Sequence, residues 1–152
     1  MFVAIDHHSA GCVGLHAAGR GTRFEALERL RQGLRQRFGG FAKGIAAGLA
    51  LRHDYGSQYM SDVFRSELKF LGIESSPAFV RAPEGNGCAE RFIRTLKENL
   101  LWVRTFGTVE QLRQALLEFR RTYNSTWLIE RHGFRTPDAV RRDQLSPAAL
   151  AA

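Results

Sequence analysis

Two carboxylates stand where they could do chemistry. Asp54 lies in Leu51-Arg52-His53-Asp54-Tyr55-Gly56-Ser57-Gln58-Tyr59, and Glu90 lies in Asn86-Gly87-Cys88-Ala89-Glu90-Arg91-Phe92. Thirty-five residues separate them. The first acid follows an apolar, strand-like run, and the second opens an amphipathic stretch at helical spacing. On a helical wheel Ala89, Phe92, Ile93, Leu96, Leu100 and Val103 fall within about 60° of one another and form the stripe expected to be buried. Glu90, Arg94 and Lys97 fall at roughly 80° to 140° from Ala89, just off the edge of that stripe. An acid so placed can hold a metal at the rim of a sheet. The cations one and two turns on can grip a phosphate backbone.

The same helix admits a plainer reading. Glu90 favours a helix N-terminus through the macrodipole, and Arg94 is its i,i+4 ion-pair partner. Read alone, the helix favours this plainer role; the spacing from Asp54 and the residues flanking both acids turn the reading towards the metal-holding one.

The surrounding elements must bring the acids together. Phe2 to His7 reads as a strand, Ser9-Ala10-Gly11 as a turn, and Cys12 to Ala17 as the antiparallel partner. Thr22 stands three residues before Glu25, the spacing of a capping box, and Phe24, Leu27, Leu30 and Leu34 follow at helical intervals to Phe38-Gly39-Gly40. Gly48 to His53 is a short apolar strand that delivers Asp54. Ser57 to Leu71 reads as a helix stopped at Gly72, and Ile73 to Ser76 as a strand. Pro77 to Gly87, with Pro83, Gly85-Asn86-Gly87 and no other Gly or Asn, reads as a mobile loop. A long helix is expected from Cys88 to Arg104, another from Thr108 to about Tyr123, and a short last one after Thr136-Pro137-Asp138. The order of elements predicts one mixed α/β domain.

Composition narrows the partners. The 152 residues suit a single domain, and 44% hydrophobic content supports a core. A net charge of +7 points to a polyanion, most simply nucleic acid. Between Arg91 and Arg142 there are 11 Lys or Arg against 5 Asp or Glu, so the excess is concentrated in the C-terminal part. Cys12 and Cys88 lack metal-ligand spacing and do not make a disulfide framework. The longest apolar stretch, Gly44 to Leu51, is too short to span a bilayer, and Met1-Phe2-Val3-Ala4-Ile5 lacks the marks of a signal peptide.

From Leu51 to Asp143 the chain resembles the integrase-like core of bacterial insertion-sequence transposases, members of the ribonuclease H-like superfamily related to retroviral integrases. His53-Asp54-Tyr55-Gly56-Ser57-Gln58-Tyr59 resembles the second-aspartate motif of that family. Asn86-Gly87-Cys88-Ala89-Glu90-Arg91-Phe92-Ile93-Arg94-Thr95-Leu96-Lys97 resembles its glutamate helix. Tyr123-Asn124, Arg131-His132 and Thr136-Pro137 resemble its C-terminal signature. The resemblance implies a ribonuclease H-like mixed sheet flanked by helices. It implies Asp54 and Glu90 as catalytic acids and metal ligands, with Lys97, Arg94 and Arg91 on DNA. It also implies Mg²⁺ or Mn²⁺, two ions in a complete site, that activate the attacking oxygen and stabilise the leaving one during DNA cleavage and strand transfer. The implied partners are double-stranded DNA at transposon ends and further copies of the chain, with no membrane, in the bacterial cytoplasm or nucleoid.

One piece of the pattern is not matched. The family's first aspartate lies in a Trp-x-x-Asp-x-Thr strand, whereas Phe2-Val3-Ala4-Ile5-Asp6-His7-His8-Ser9 resembles the strand after it. The expectation is therefore a core over residues 1–143, incomplete at its N-terminus, followed by a tail over 144–152. In the family order, 3-2-1-4-5, the unmatched strand is central, so two sheet edges should lack a partner. Asp6 is read as part of the turn near Ser9; the alternative, that it replaces the first acid, stays open. Without a bridging acid, weak metal binding and poor catalysis are expected. The rival expectations are an inactive remnant that binds DNA or self-associates, and a ribonuclease H-like nuclease. His7, His8 and His53 are read as structural rather than as ligands. Trp102, Phe106, Phe119 and Trp127 are read as core or interface residues rather than base-stacking platforms, and Cys88 as a small helix-start residue.

Overall fold

The computed structural model describes residues 1–19, 22–54, 56–77 and 87–146. The chain begins as a hairpin, β1 (Phe2–Ile5) against β2 (Cys12–His16), antiparallel with a register shift between Ala4 and Ile5. The helix α1 (Arg23–Phe38) follows. Its N-cap is Thr22, whose hydroxyl accepts from the Glu25 N–H at 3.4 Å. Gly39 closes it at φ 74°, a left-handed angle that suits glycine. The carboxylate of Glu25 pairs with His16, tying the helix start to the end of β2.

Next come β3 (Ala50–His53), α2 (Ser57–Met60), α3 (Asp62–Leu71) and β4 (Glu74–Pro77), with β4 parallel to β3. The single helix expected from Ser57 to Leu71 is broken. Ser61 adopts an extended backbone and caps α3, its hydroxyl accepting from the Phe64 N–H at 3.3 Å. Serine competes for backbone bonds and favours caps over helix interiors, which gives the break its cause. Gly72 ends α3 in the left-handed region, as its position predicted.

The helix α4 (Gly87–Leu96) runs into a π-helical turn, Lys97–Leu101. This corrects the expected single helix to Arg104 and the place of Val103 in the buried stripe. Phe92, Leu96 and Leu100 are buried, but Val103 is 71% exposed. The wider π turn advances fewer degrees per residue, so the α-helical phase is lost after Leu96. Trp102, beside it, is also exposed, so of its two expected places, core or interface, it is not in the core. The helix α5 (Val109–Thr126), a 3₁₀ turn (Glu130–His132) and α6 (Pro137–Gln144) complete the fold. Thr108 and Thr136 cap α5 and α6 through hydroxyl bonds to Gln111 and Ala139. Of the expected Pro77 to Gly87 loop, Pro77 ends β4 and Gly87 opens α4, while residues 78–86, like 147–152 of the tail, lie outside the described residues.

Two hydrophobic clusters sandwich the strands. One joins Phe2 to Leu27, Leu30 and Leu34 of α1 and to Phe64, Leu68 and Leu71 of α3. The other joins Cys12 and Leu15 to Phe92 and Leu96 of α4 and to Leu116 and Tyr123 of α5. Close packing on α1 explains Gly14: a Cβ there would lie 2.1 Å from the Arg29 carbonyl oxygen. Among the described residues, β1 pairs only with β2 and β3 only with β4. Among these residues the two sheets do not join.

Candidate functional site

Asp54 follows the last residue of β3 and is exposed. Its Oδ1 accepts from the Gly56 N–H at 2.9 Å, which fixes the turn into α2. Behind it His53 is buried. The ring nitrogens of His53 meet Ser75 Oγ and the Asp54 carbonyl, each at 2.8 Å, and the ring packs against Tyr59 and Phe64. This is the structural role expected of it: His53 locks β3 to β4 where Asp54 emerges.

Glu90 sits in the first turn of α4 and is exposed. The ion pair that would have made it purely structural goes elsewhere: Arg94 Nε donates to Glu98 Oε1 at 2.8 Å. Glu98 also holds the Arg94 guanidinium above its ordinary pKa, first through that hydrogen bond and then through its charge. Arg91, Arg94 and Lys97 are all exposed. Because α4 is regular to Leu96, Lys97 lies about 10 Å further along the helix than Glu90 and close to its azimuth.

Asp6 is engaged in its turn. Its Oδ1 accepts from the His8 N–H at 3.0 Å and its Oδ2 from the buried Ser9 hydroxyl at 2.7 Å. His7 and His8 are exposed, and Arg131 donates to both of their carbonyls, at 2.5 and 3.3 Å. Tyr123 and Asn124 grip the same turn. The Tyr123 hydroxyl donates to the Ala10 carbonyl at 3.2 Å, and the Asn124 side chain bonds both the N–H and the carbonyl of Cys12. Tyr123, Asn124 and Arg131 of the C-terminal motif thus hold the turn of the hairpin, a role that spacing alone did not reveal. Phe119 packs in the core with Phe92 and Tyr123, Phe106 lies partly buried beside it, and Trp127 stacks on Tyr123.

Arg29 is a residue of the site that no sequence pattern marked, because it occupies a position on the apolar face of α1. It is 7% exposed and its Nη1 donates to the Val3 carbonyl at 2.6 Å, while its guanidinium lies 4.7 Å from the Tyr59 ring centre. Burial lowers its pKa, opposed by Tyr59 and Asp54. A charged guanidinium therefore lies behind the end of β3, within the field of Asp54.

A pair of divalent cations asks more of the site than it offers. Among the described residues no three His, Cys, Asp or Glu side chains gather as a metal cluster. Asp54 and Glu90 offer hard oxygen donors at the surface, but two adjacent dications need more compensating charge than two carboxylates bring. The described side chains do not fit a complete two-ion centre.

Known proteins resemble this chain both in sequence and in fold. Residues 71–137 match the family described as integrase core domain. A stretch of 79 residues is 34% identical to the transposase of insertion sequence element IS904 from Lactococcus lactis, covering 52% of this chain and 31% of that protein. The putative transposase InsD of insertion element IS2E from Escherichia coli is 31% identical over 91 residues, 60% of this chain and 42% of the relative. The chain thus matches less than half the length of these relatives. The catalytic core of BIV integrase superposes with a TM-score of 0.69 at 23% identity, over 93% of this chain and 84% of that one. The fold is therefore the ribonuclease H-like fold of integrase catalytic cores. No described helix is long and apolar enough to cross a membrane.

Proposed function

We propose that this chain, which matches the integrase core domain family over residues 71–137, works in DNA transposition and that Asp54 and Glu90 are two of its reaction-centre acids. The observation that carries the reading is their placement on an integrase-core fold, one acid at the end of a β-strand and the other in the first turn of a helix inside the matched segment. Both carboxylates are exposed, and Glu90 is not consumed by the neighbouring Arg94.

In this reading Arg91, Arg94 and Lys97 bind the DNA backbone alongside Glu90. Phosphate contacts of this kind position a duplex without reading its sequence. A bound divalent metal would supply charge stabilisation for phosphoryl transfer. His53 keeps Asp54 at the sheet rim, and the grip of Asn124 and Arg131 on the hairpin keeps the neighbouring turn in place. Transposon ends are the proposed substrate and further copies of the chain the proposed partners. The core is proposed to extend over residues 1–143.

A DNA-binding core with little catalysis of its own is the competing reading, favoured by the incomplete donor set. One experiment separates the two. The chain is incubated with labelled terminal-repeat DNA and Mg²⁺ or Mn²⁺, and retention and joining are scored together. We expect retention with weak joining that D54N or E90Q abolishes. Robust joining would reject the incomplete-site account. Joining untouched by D54N and E90Q would reject the assignment of the acids, and absence of DNA retention would reject the DNA reading.

A further inference from the structure

The π turn Lys97–Leu101 changes which face of the helix its last residues present. Its i,i+5 bond runs from the Trp102 N–H to the Lys97 carbonyl at 2.9 Å. In an unbroken α-helix Trp102 would stand about 120° from Glu90, and Val103 about 220°, between the azimuths of the buried Phe92 and Leu96. Through a π turn each residue advances only roughly 80°, which brings Trp102 back to about 30° from Glu90 and carries Val103 off the buried stripe. The exposures agree: Trp102 is 70% and Val103 71% exposed, while Leu100 stays buried. Trp102 thereby joins the row of Glu90, Arg94 and Lys97. Twelve residues on from Glu90, it lies at most about 18 Å further along the axis, at 1.5 Å per residue.

The charges around the indole favour a polyanion. From Glu90 to Arg104 the exposed cations are Arg91, Arg94, Lys97 and Arg104, against the exposed acids Glu90 and Glu98. Glu98, one turn before Trp102, is bound to Arg94 at 2.8 Å, so it sets no unbalanced negative charge beside the indole. Past the turn, the Arg104 guanidinium lies 5.5 Å from the Phe106 ring centre. An apolar protein surface laid over Trp102 would desolvate these cations without pairing them. A nucleotide offers a flat base to the indole and a phosphate to the cations.

We infer that Trp102 is a stacking platform for an unpaired nucleotide of DNA, so that this face of the helix takes a duplex joined to a single-stranded stretch rather than a continuous duplex. Inside a duplex each base is covered by its neighbours, and a base that meets an indole face must be unpaired or turned out. The span from Glu90 to Trp102 corresponds to about five nucleotides at 3.4 Å each, counted from a phosphate beside Glu90. The inference rests on the DNA reading of the same helix and adds to it the form of DNA that the helix prefers.

The test compares one duplex in three forms: blunt, with a 3′ extension of about eight thymidines, and with the same extension at the 5′ end. Anisotropy of the labelled DNA gives affinity. Tryptophan emission is followed in W127F, whose one remaining tryptophan is Trp102. We expect at least one extended DNA to bind about tenfold more tightly than the blunt one and to quench the Trp102 emission. W102A should lose that preference and keep its affinity for the blunt duplex, and W102F should retain most of it because a phenyl ring still stacks. Binding of the blunt duplex with no preference for either extension would overturn the platform and leave the DNA reading standing. So would a preference that W102A keeps, or an equal loss of affinity for all three DNAs in W102A. Binding of none of them would overturn the DNA reading as well. A dimer of the chain that W102A dissociates, with the preference unchanged, would put Trp102 at a contact between copies and overturn the inference.

Discussion

Arg94 pairs forward with Glu98 and not back with Glu90, its guanidinium Nε lying 2.8 Å from Glu98 Oε1. A helix residue has i,i+4 neighbours in both directions, and here the C-terminal one takes the charge. Glu90 is left exposed in the first turn of α4, where an acid can face a ligand. In the proposed DNA reading, Glu98 in turn mutes Arg94, one of the cations set to meet the phosphate backbone.

That pairing predicts opposite effects on DNA affinity. R91A and K97A should each weaken duplex binding regardless of sequence and lower the slope of log affinity against log salt by about one. E98Q should tighten binding by releasing Arg94, and R94A should cancel that gain. Anisotropy titrations over a salt series measure all four. An unchanged slope in R91A and K97A would remove this helix face from the DNA track.

The bidentate grip of Asn124 on Cys12 predicts a stability loss that the better helix propensity of alanine within α5 offsets only in part. N124A leaves a buried N–H and a buried carbonyl without partners, at about 1–3 kcal/mol each. Urea denaturation should show a loss of about 2–5 kcal/mol. A loss under about 0.5 kcal/mol, the range of an ordinary surface change, would mean that the hairpin holds its shape unaided.

Gly14 faces a harder limit. The nearest obstacle to a side chain there is backbone, the Arg29 carbonyl oxygen 2.1 Å from where a Cβ would sit, and backbone cannot swing aside as a flexible side chain does. G14A should therefore cost about 3 kcal/mol by pushing α1 from the hairpin. Thermal unfolding at wild-type temperature would contradict that close approach.

Cys12 predicts an alkaline sensitivity. Burial pushes its thiol from 9.0 up to about 12, against the pull of the Arg120 charge. Burial likewise raises Tyr123 from 10.0 to about 12. Both groups have higher pKa values folded than unfolded, so their contribution to stability is fully present below pH 9 and is lost as pH rises from 9 towards 12. The urea midpoint should fall across that window, and C12A should remove part of the fall. At about pH 8 a thiol reagent should modify Cys88 while Cys12 stays protected until the chain unfolds.

The helix boundaries were legible where a residue type forces them. Thr22, Thr108 and Thr136 cap, Gly39 and Gly72 stop, and each acts as its chemistry dictates. The places of Asp54 at a strand end and Glu90 at a helix start were legible for the same reason. The break at Ser61 was not, because Ser also occurs within helices and the apolar spacing runs straight through it. The π turn at Lys97 was hidden too, since Leu100 and Val103 fit an α-helical stripe on paper and only packing shows that the phase slips. Long-range contacts left no mark: Asn124 on Cys12 spans 112 residues of sequence, and Arg29 reads as an ordinary cation of α1. That the described strands form two separate pairs was expected only through the family's strand order.

The account rests on Asp54 and Glu90 facing one reaction centre. Its most direct test is a crystal structure of the chain grown with Mn²⁺ and terminal-repeat DNA, with the metal located by its anomalous signal. The account predicts a Mn²⁺ ion contacted by both carboxylates and by a DNA phosphate. Carboxylates that point apart across the sheet, with Mn²⁺ bound elsewhere, would contradict it.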